Sequence, residues 1–162
     1  MQRRTLLALS AVASFGLAAL SLGQPALAAE PMSAGAWELN LAASKSTDPM
    51  PKSITRTYEV VGTSEKMTGT IVTADGKTIP ITFTATLDGK DSPFQSPGVD
   101  TLVLTPVDAT TTNFTTKLAG KVVATGSRVL SKDGKFMTLW NKGVNPAGQP
   151  IESTMVYDKR CD

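Results

Sequence analysis

Histidine is absent from this 162-residue chain, and cysteine occurs once, at Cys161. Without His, the commonest general base and the commonest metal ligand are both missing, and neither a Ser–His nor a Cys–His nucleophile pair can be assembled. A single Cys rules out an internal disulfide and a Cys-rich zinc site, and a thiol one residue from the C-terminus reads as free and outside the core. Charge of one sign is also lacking: 16 basic against 14 acidic side chains give +2, too little for a surface that neutralises nucleic-acid phosphates. Ser127, Ser131 and Ser153 lack a G-x-S-x-G context, there is no glycine-rich phosphate loop, and the Asp-Gly-Lys segments lack the alternating acids of a calcium loop. No metal, cofactor or nucleic-acid partner is expected from this inventory, and no enzyme, the alternative being an isomerase or hydrolase that works without His.

What is present begins with an address. Arg3 and Arg4 precede an apolar run from Thr5 to Leu22, a Gln24-Pro25 break follows, and Ala26-Leu27-Ala28 offers small residues for signal peptidase. Residues 1–28 therefore read as a cleaved signal peptide, with cleavage after Ala28, and the run is not read as a stable membrane anchor. Arg3-Arg4-Thr5-Leu6-Leu7 has the form of a twin-arginine signal, so either that route or the general secretory route to the periplasm or exterior fits. The remaining residues 29–162 form one domain with 14 basic and 14 acidic side chains, a net charge of zero.

That domain carries 21 threonines, a β-branched residue at ease on the wet face of a sheet. Between Thr78 and Leu87 the alternation is cleanest: Ile79, Ile81, Phe83, Ala85 and Leu87 share one face, and Thr78, Pro80, Thr82, Thr84 and Thr86 the other. Pro80 costs a ladder hydrogen bond and belongs near a strand end or a bulge. Asp75-Gly76, Asp88-Gly89 and Asp133-Gly134 are hairpin turns, with Ala119-Gly120 and Ala147-Gly148 as weaker ones. Strands are expected near 35–42, 53–61, 65–74, 78–87, 100–106, 111–118, 121–130, 135–142 and 149–158, with a short extra one near 90–95. No helical stripe appears in the domain. An antiparallel meander with one apolar face must hide its edges, so the fold class is all-β: an up-and-down barrel of about 8–10 strands. A two-sheet sandwich is the alternative, though these short sequential turns lack its crossovers.

Gly35-Ala36-Trp37 resembles the G-x-W signature at the first strand of lipocalin and calycin barrels. With Glu38-Leu39-Asn40-Leu41, Ser44-Lys45, the Asp-Gly-Lys turns and the closing Val156-Tyr157-Asp158-Lys159, residues 33–160 resemble small exported bacterial proteins with a lipocalin-like domain. This resemblance implies the lipocalin and fatty-acid-binding-protein type of fold and no established activity. It also implies that Gly35 and Trp37 are structural, with Trp37 plugging one barrel end against a late-strand Arg, a part open to Arg128 or Arg160.

A barrel of this size holds one small molecule, so inward polar residues carry the information. Ile54, Arg56, Tyr58 and Val60 share a face whose apolar flanks point Arg56 and Tyr58 inward, where guanidinium and phenol would form a hook for a carboxylate. Fatty-acid-binding barrels use an Arg-x-Tyr of similar chemistry in a different strand. Packing of Arg56 on Trp37 or at the rim is the competing reading. Arg128 shares a face with Val122, Ala124, Gly126 and Leu130, while the opposite face, Val123, Thr125, Ser127 and Val129, is about equally plausible as the inner one. Tyr157 follows Ile151, Ser153 and Met155. Trp140 and Phe136 lie on one strand face against Met137 and Leu139, as core, as a ligand-facing Trp, or as an outer apolar patch. The candidate ligand-binding residues are therefore Arg56, Tyr58, Arg128, Trp140 and Tyr157. The function expected is non-enzymatic binding of a small apolar or carboxylate-bearing ligand by an exported protein; the alternative is a structural or interaction protein of the cell envelope with a packed barrel.

Overall fold

A computed structural model describes residues 32–161; the expected signal segment 1–28, the expected cleavage after Ala28 and the paired arginines lie outside the described residues. Eleven strands follow in chain order: β1 (Gly35–Leu39), β2 (Lys45–Ser46), β3 (Ser53–Val61), β4 (Ser64–Val72), β5 (Thr78–Thr86), β6 (Asp91–Ser96), β7 (Val99–Pro106), β8 (Thr111–Leu118), β9 (Lys121–Leu130), β10 (Phe136–Val144) and β11 (Pro150–Lys159). From β3 to β11 each strand pairs with the next, and β1 pairs with both β3 and β11, closing a ten-strand antiparallel up-and-down barrel. The two-residue β2 sits outside that ring and pairs with Ser153 and Thr154 of β11, beyond the reach of the short β1.

Local chemistry sets the ends of the strands. β1 stops at Leu39, shorter than the pattern of alternation predicts, because the Asn40 side chain accepts from the Ala43 N–H at 3.0 Å and turns the chain. β4 stops at Val72, where Thr73 and Asp75 hydrogen-bond side chain to side chain and Thr73 also receives the Lys77 N–H at 3.0 Å. Pro80 lies above the two-residue contact of β5 with β6, which pairs only Thr82 with Gln95 and Phe83 with Phe94. One side of β5 has no ladder partner there, which is where a strand tolerates proline. The short strand expected near 90–95 is β6; β2 had no periodic signal, since two residues cannot show a period.

Inward positions form one continuous core that includes Trp37, Tyr58, Met67, Ile81, Met137 and Tyr157. Removing side chains of this size from water contributes about 1.5–3 kcal/mol each. The inner face of β9, left open between two plausible sets, is settled: Ala124, Gly126, Arg128 and Leu130 point inward. Val122 does not join them and is 58% exposed, because a bulge opposite Thr116 and Lys117 shifts the register ahead of Ala124.

Candidate functional site: a barrel cavity with an unpaired cation

A cavity of about 310 Å³ occupies the barrel, at the small end of the range for ligand sites. Its mouth lies at the end where Asp48, the Pro97-Gly98 turn and Asn145-Pro146 meet. The two turns touch across that mouth: a Cβ on Gly98, whose φ is +74°, would stand 2.8 Å from Pro146 Cγ. Asn145 Nδ2 also donates to Asp48 Oδ1 at 3.2 Å. Apolar walls come from Phe83, Phe94, Leu102, Leu104 and Met155, and an edge-on ring stack joins Tyr58 to Phe83 and Phe83 to Phe94.

Beneath the cavity the barrel is sealed. Arg128 donates from both terminal nitrogens to Glu65, at 2.7 and 2.8 Å, and both side chains are buried. Ser33 Oγ donates to the same carboxylate at 3.4 Å, and Trp37 Nε1 donates to the Ser33 carbonyl at 2.9 Å. A forked guanidinium–carboxylate pair satisfies the geometry of both groups, which is what allows two charges in a core.

The cation stacked on Trp37 is neither Arg128 nor Arg160. Lys159 fills that place, with Nζ 5.4 Å from the ring centroid, as the cross-strand partner of Trp37 on β11. Arg128 instead lies 5.1 Å over the Tyr58 ring, and Arg160 reaches Glu38 at 3.7 Å on the outside, where both side chains are more than half exposed.

Arg56 has no such carboxylate among the described residues. Pairing with Trp37 and Gly69 puts it on the inner face, and the missing side chain at Gly69 leaves room for it. Its Nη1 donates to Tyr58 Oη at 3.3 Å, and its Cζ lies 5.3 Å from the centre of the Tyr157 ring. Its Nε is shut from solvent and has no partner among the described residues; the Tyr157 hydroxyl is in the same condition. Burial works against the charged guanidinium, but the phenol oxygens of Tyr157 and Tyr58 outweigh it and raise its pKa, so Arg56 is charged at every accessible pH. Burial pushes the Tyr157 phenol up, against the pull of Arg56, and keeps it a neutral donor. Two guanidiniums thus share the barrel floor with the single carboxylate of Glu65.

Of the five candidate residues, Arg56, Tyr58, Arg128 and Tyr157 come together around this floor and line the cavity. Trp140 does not: it points outward, is 38% exposed, and donates to Glu152 at 3.4 Å. On β10 the inward set is Met137 and Leu139, which leaves Trp140 on the solvent side with Phe136. Two inward polar residues were missed, Glu65 in the seal and Asn141 in the cavity wall, and both carried a parity signal. Glu65 shares the face of Met67 and Ile71, an acid at an apolar position, and Asn141 shares that of Met137 and Leu139.

Fold and cavity together define a closed antiparallel barrel of the lipocalin and fatty-acid-binding-protein type. No protein-family model matches the chain, and no curated protein matches it in sequence. Among solved structures it is similar to zebrafish ileal bile acid-binding protein complexed with cholic acid, at 11% identity and TM-score 0.49, over 80% of this chain and 99% of that one. Lobster apocrustacyanin A1 is similar at 12% identity and TM-score 0.41, over 81% of this chain and 62% of that one. A siderocalin described as functioning through dual ligand specificities matches at 12% identity and TM-score 0.38, over 80% and 71% of the two chains. At such identities the likeness concerns the barrel alone.

Proposed function

We propose that the protein is an exported, non-enzymatic binding protein that carries or sequesters a small, mostly apolar acid inside its barrel. The observation that supports this is Arg56: a charged guanidinium in a largely apolar cavity, with an unanswered Nε beside an unanswered Tyr157 hydroxyl. A buried charge without a counter-charge is costly, and a ligand carboxylate would supply the missing partner in the planar, forked form that guanidinium matches. The hydroxyls of Tyr58 and Tyr157 add donors, and the Phe83–Phe94 wall receives the apolar part of the ligand. Export rests on the residues 1–28 pattern, and places the protein in the periplasm or outside the cell.

Native mass spectrometry of protein purified from its own host, followed by organic extraction, tests the reading. An extractable acid at one per barrel is expected, with Arg56→Leu reducing the affinity for added decanoate by about ten- to a hundredfold, the worth of a hydrogen-bonded charge. An empty barrel that takes up no added acid would overturn it. Val129, Phe136 and Trp140 form exposed apolar positions on the outside of β9 and β10, and a partner retained there by an empty barrel would favour an envelope interaction role instead.

A further inference from the structure

Asn141 presents an unanswered amide oxygen in the cavity wall. Its Oδ1 is closed to solvent and has no hydrogen-bond partner among the described residues. Across one ladder its partner is Ser153, which is buried and also lines the cavity; across the other it is Gly126, which has no side chain to offer. A Cβ at Gly126 would meet Phe114 Cζ at 2.5 Å, so Phe114 takes that space and brings no polar group. An unpaired buried amide oxygen costs about 1–3 kcal/mol, which Leu or Val at this strand position would avoid.

Position along the barrel turns this into a statement about the ligand. Ser153 is four residues before Tyr157 on β11, on the mouth side, so along the strand the Asn141–Ser153 pair lies about 13 Å from Tyr157, at roughly 3.3 Å per strand residue. Between the two stations the lining is mostly apolar, with Leu104, Phe83 and Met155 among it.

We infer that Asn141, with Ser153, forms a second polar station that takes a hydroxyl on the far end of the ligand, so that the ligand class is a hydroxylated acid with the two groups about a dozen ångströms apart. This rests on the acid-binding reading above and narrows it. A hydroxyl both donates and accepts, so it satisfies an amide in either orientation as well as the Ser153 hydroxyl. A plain fatty acid would lay a methyl group against that oxygen and leave it unpaired.

Calorimetric titration of the purified protein with 10-hydroxydecanoate and with decanoate tests the inference. The hydroxy acid is expected to bind about tenfold more tightly, the fold-change that a buried hydrogen bond gives. In Asn141→Leu the ratio of the two affinities should fall to about one, and Asn141→Ala gives the same reading should the larger side chain fail to fold. Trp140→Phe, outside the barrel, should keep the ratio. Equal affinities in the unsubstituted protein, the result that a trapped water on Asn141 gives, would overturn the inference and leave the acid-binding reading standing. A ratio that survives both Asn141 variants would also overturn it. Failure of both acids to bind would overturn the two readings together.

Discussion

The guanidinium of Arg56 faces the ring of Tyr157 at 5.3 Å, and each of the two side chains keeps a buried polar atom without a partner. Without a ligand this arrangement is a stability cost carried at the cavity floor. Arg56→Leu should therefore raise the stability of the ligand-free protein by about 1–3 kcal/mol while weakening acid binding, an opposition checked by urea melts beside titrations on the same preparations. A fall in both would mean that Arg56 is a structural residue.

Glu65 and Arg128 behave in the opposite sense. Their forked pair is complete, so removing one partner strands the other in the core, and Glu65→Leu should cost about 3–5 kcal/mol. The double variant Glu65→Leu/Arg128→Met should recover most of that loss, because replacing both charges leaves no unpaired ion. Denaturant midpoints of Glu65→Leu, Arg128→Met and the double variant measure the coupling directly.

Acid should unfold the protein through its turns. The Thr73 hydroxyl, then Lys77, holds the Asp75 carboxyl down to about 2 from 3.8, and the Thr86 hydroxyl, then Lys90, does the same for Asp88. Ser131 lowers Asp133 in the third copy of this turn, and backbone N–H groups of Ala119 and Thr110 lower Asp100 and Asp108. Each folded value lies below the unfolded one, so the stabilisation is present above about pH 4 and is lost as pH falls toward 2. The melting temperature should be level from neutrality to about pH 5 and then drop, and Thr86→Val should make the drop shallower.

The two tryptophans should report separately. Trp37 is fully buried under Lys159, and Trp140 stands on the outer wall. Acrylamide should quench only one of the two emissions, and Trp140→Phe should remove that component without changing acid affinity. Quenching of the remaining emission in that variant would contradict the sealed end.

Why the strands were legible and parts of the site were not follows from period and parity. Alternation in 78–87 and the Asp-Gly turns dictate strand and hairpin locally, and so does the inward direction of Arg56 and Tyr58, flanked by Ile54. Strand 121–130 was ambiguous because each of its faces mixes apolar with small or polar residues, and its register is shifted by a bulge at Val123 that becomes visible only in the pairing with β8. The partner of Arg128 was hidden for a different reason: Glu65 is 63 residues away, and only closure of the barrel brings them together. Lys159 meets Trp37 by the same closure, across the β1–β11 seam, where no sequence motif marks the pair. Trp140 was misplaced because size and aromaticity suggest a core, while the parity it shares with Phe136 puts it in water.

The sealed floor and the touching turns at the mouth also fix how such a site responds to its surroundings. Ion pairs on the surface weaken as salt accumulates, over a screening distance of about 8 Å at physiological ionic strength. An acid seated on Arg56 would lie at the inner end of the cavity, behind the Pro146 and Gly98 turns and beside buried groups. Its attachment should therefore weaken less with added salt than a surface ion pair does, and its release would follow the turns parting or the acid taking up a proton.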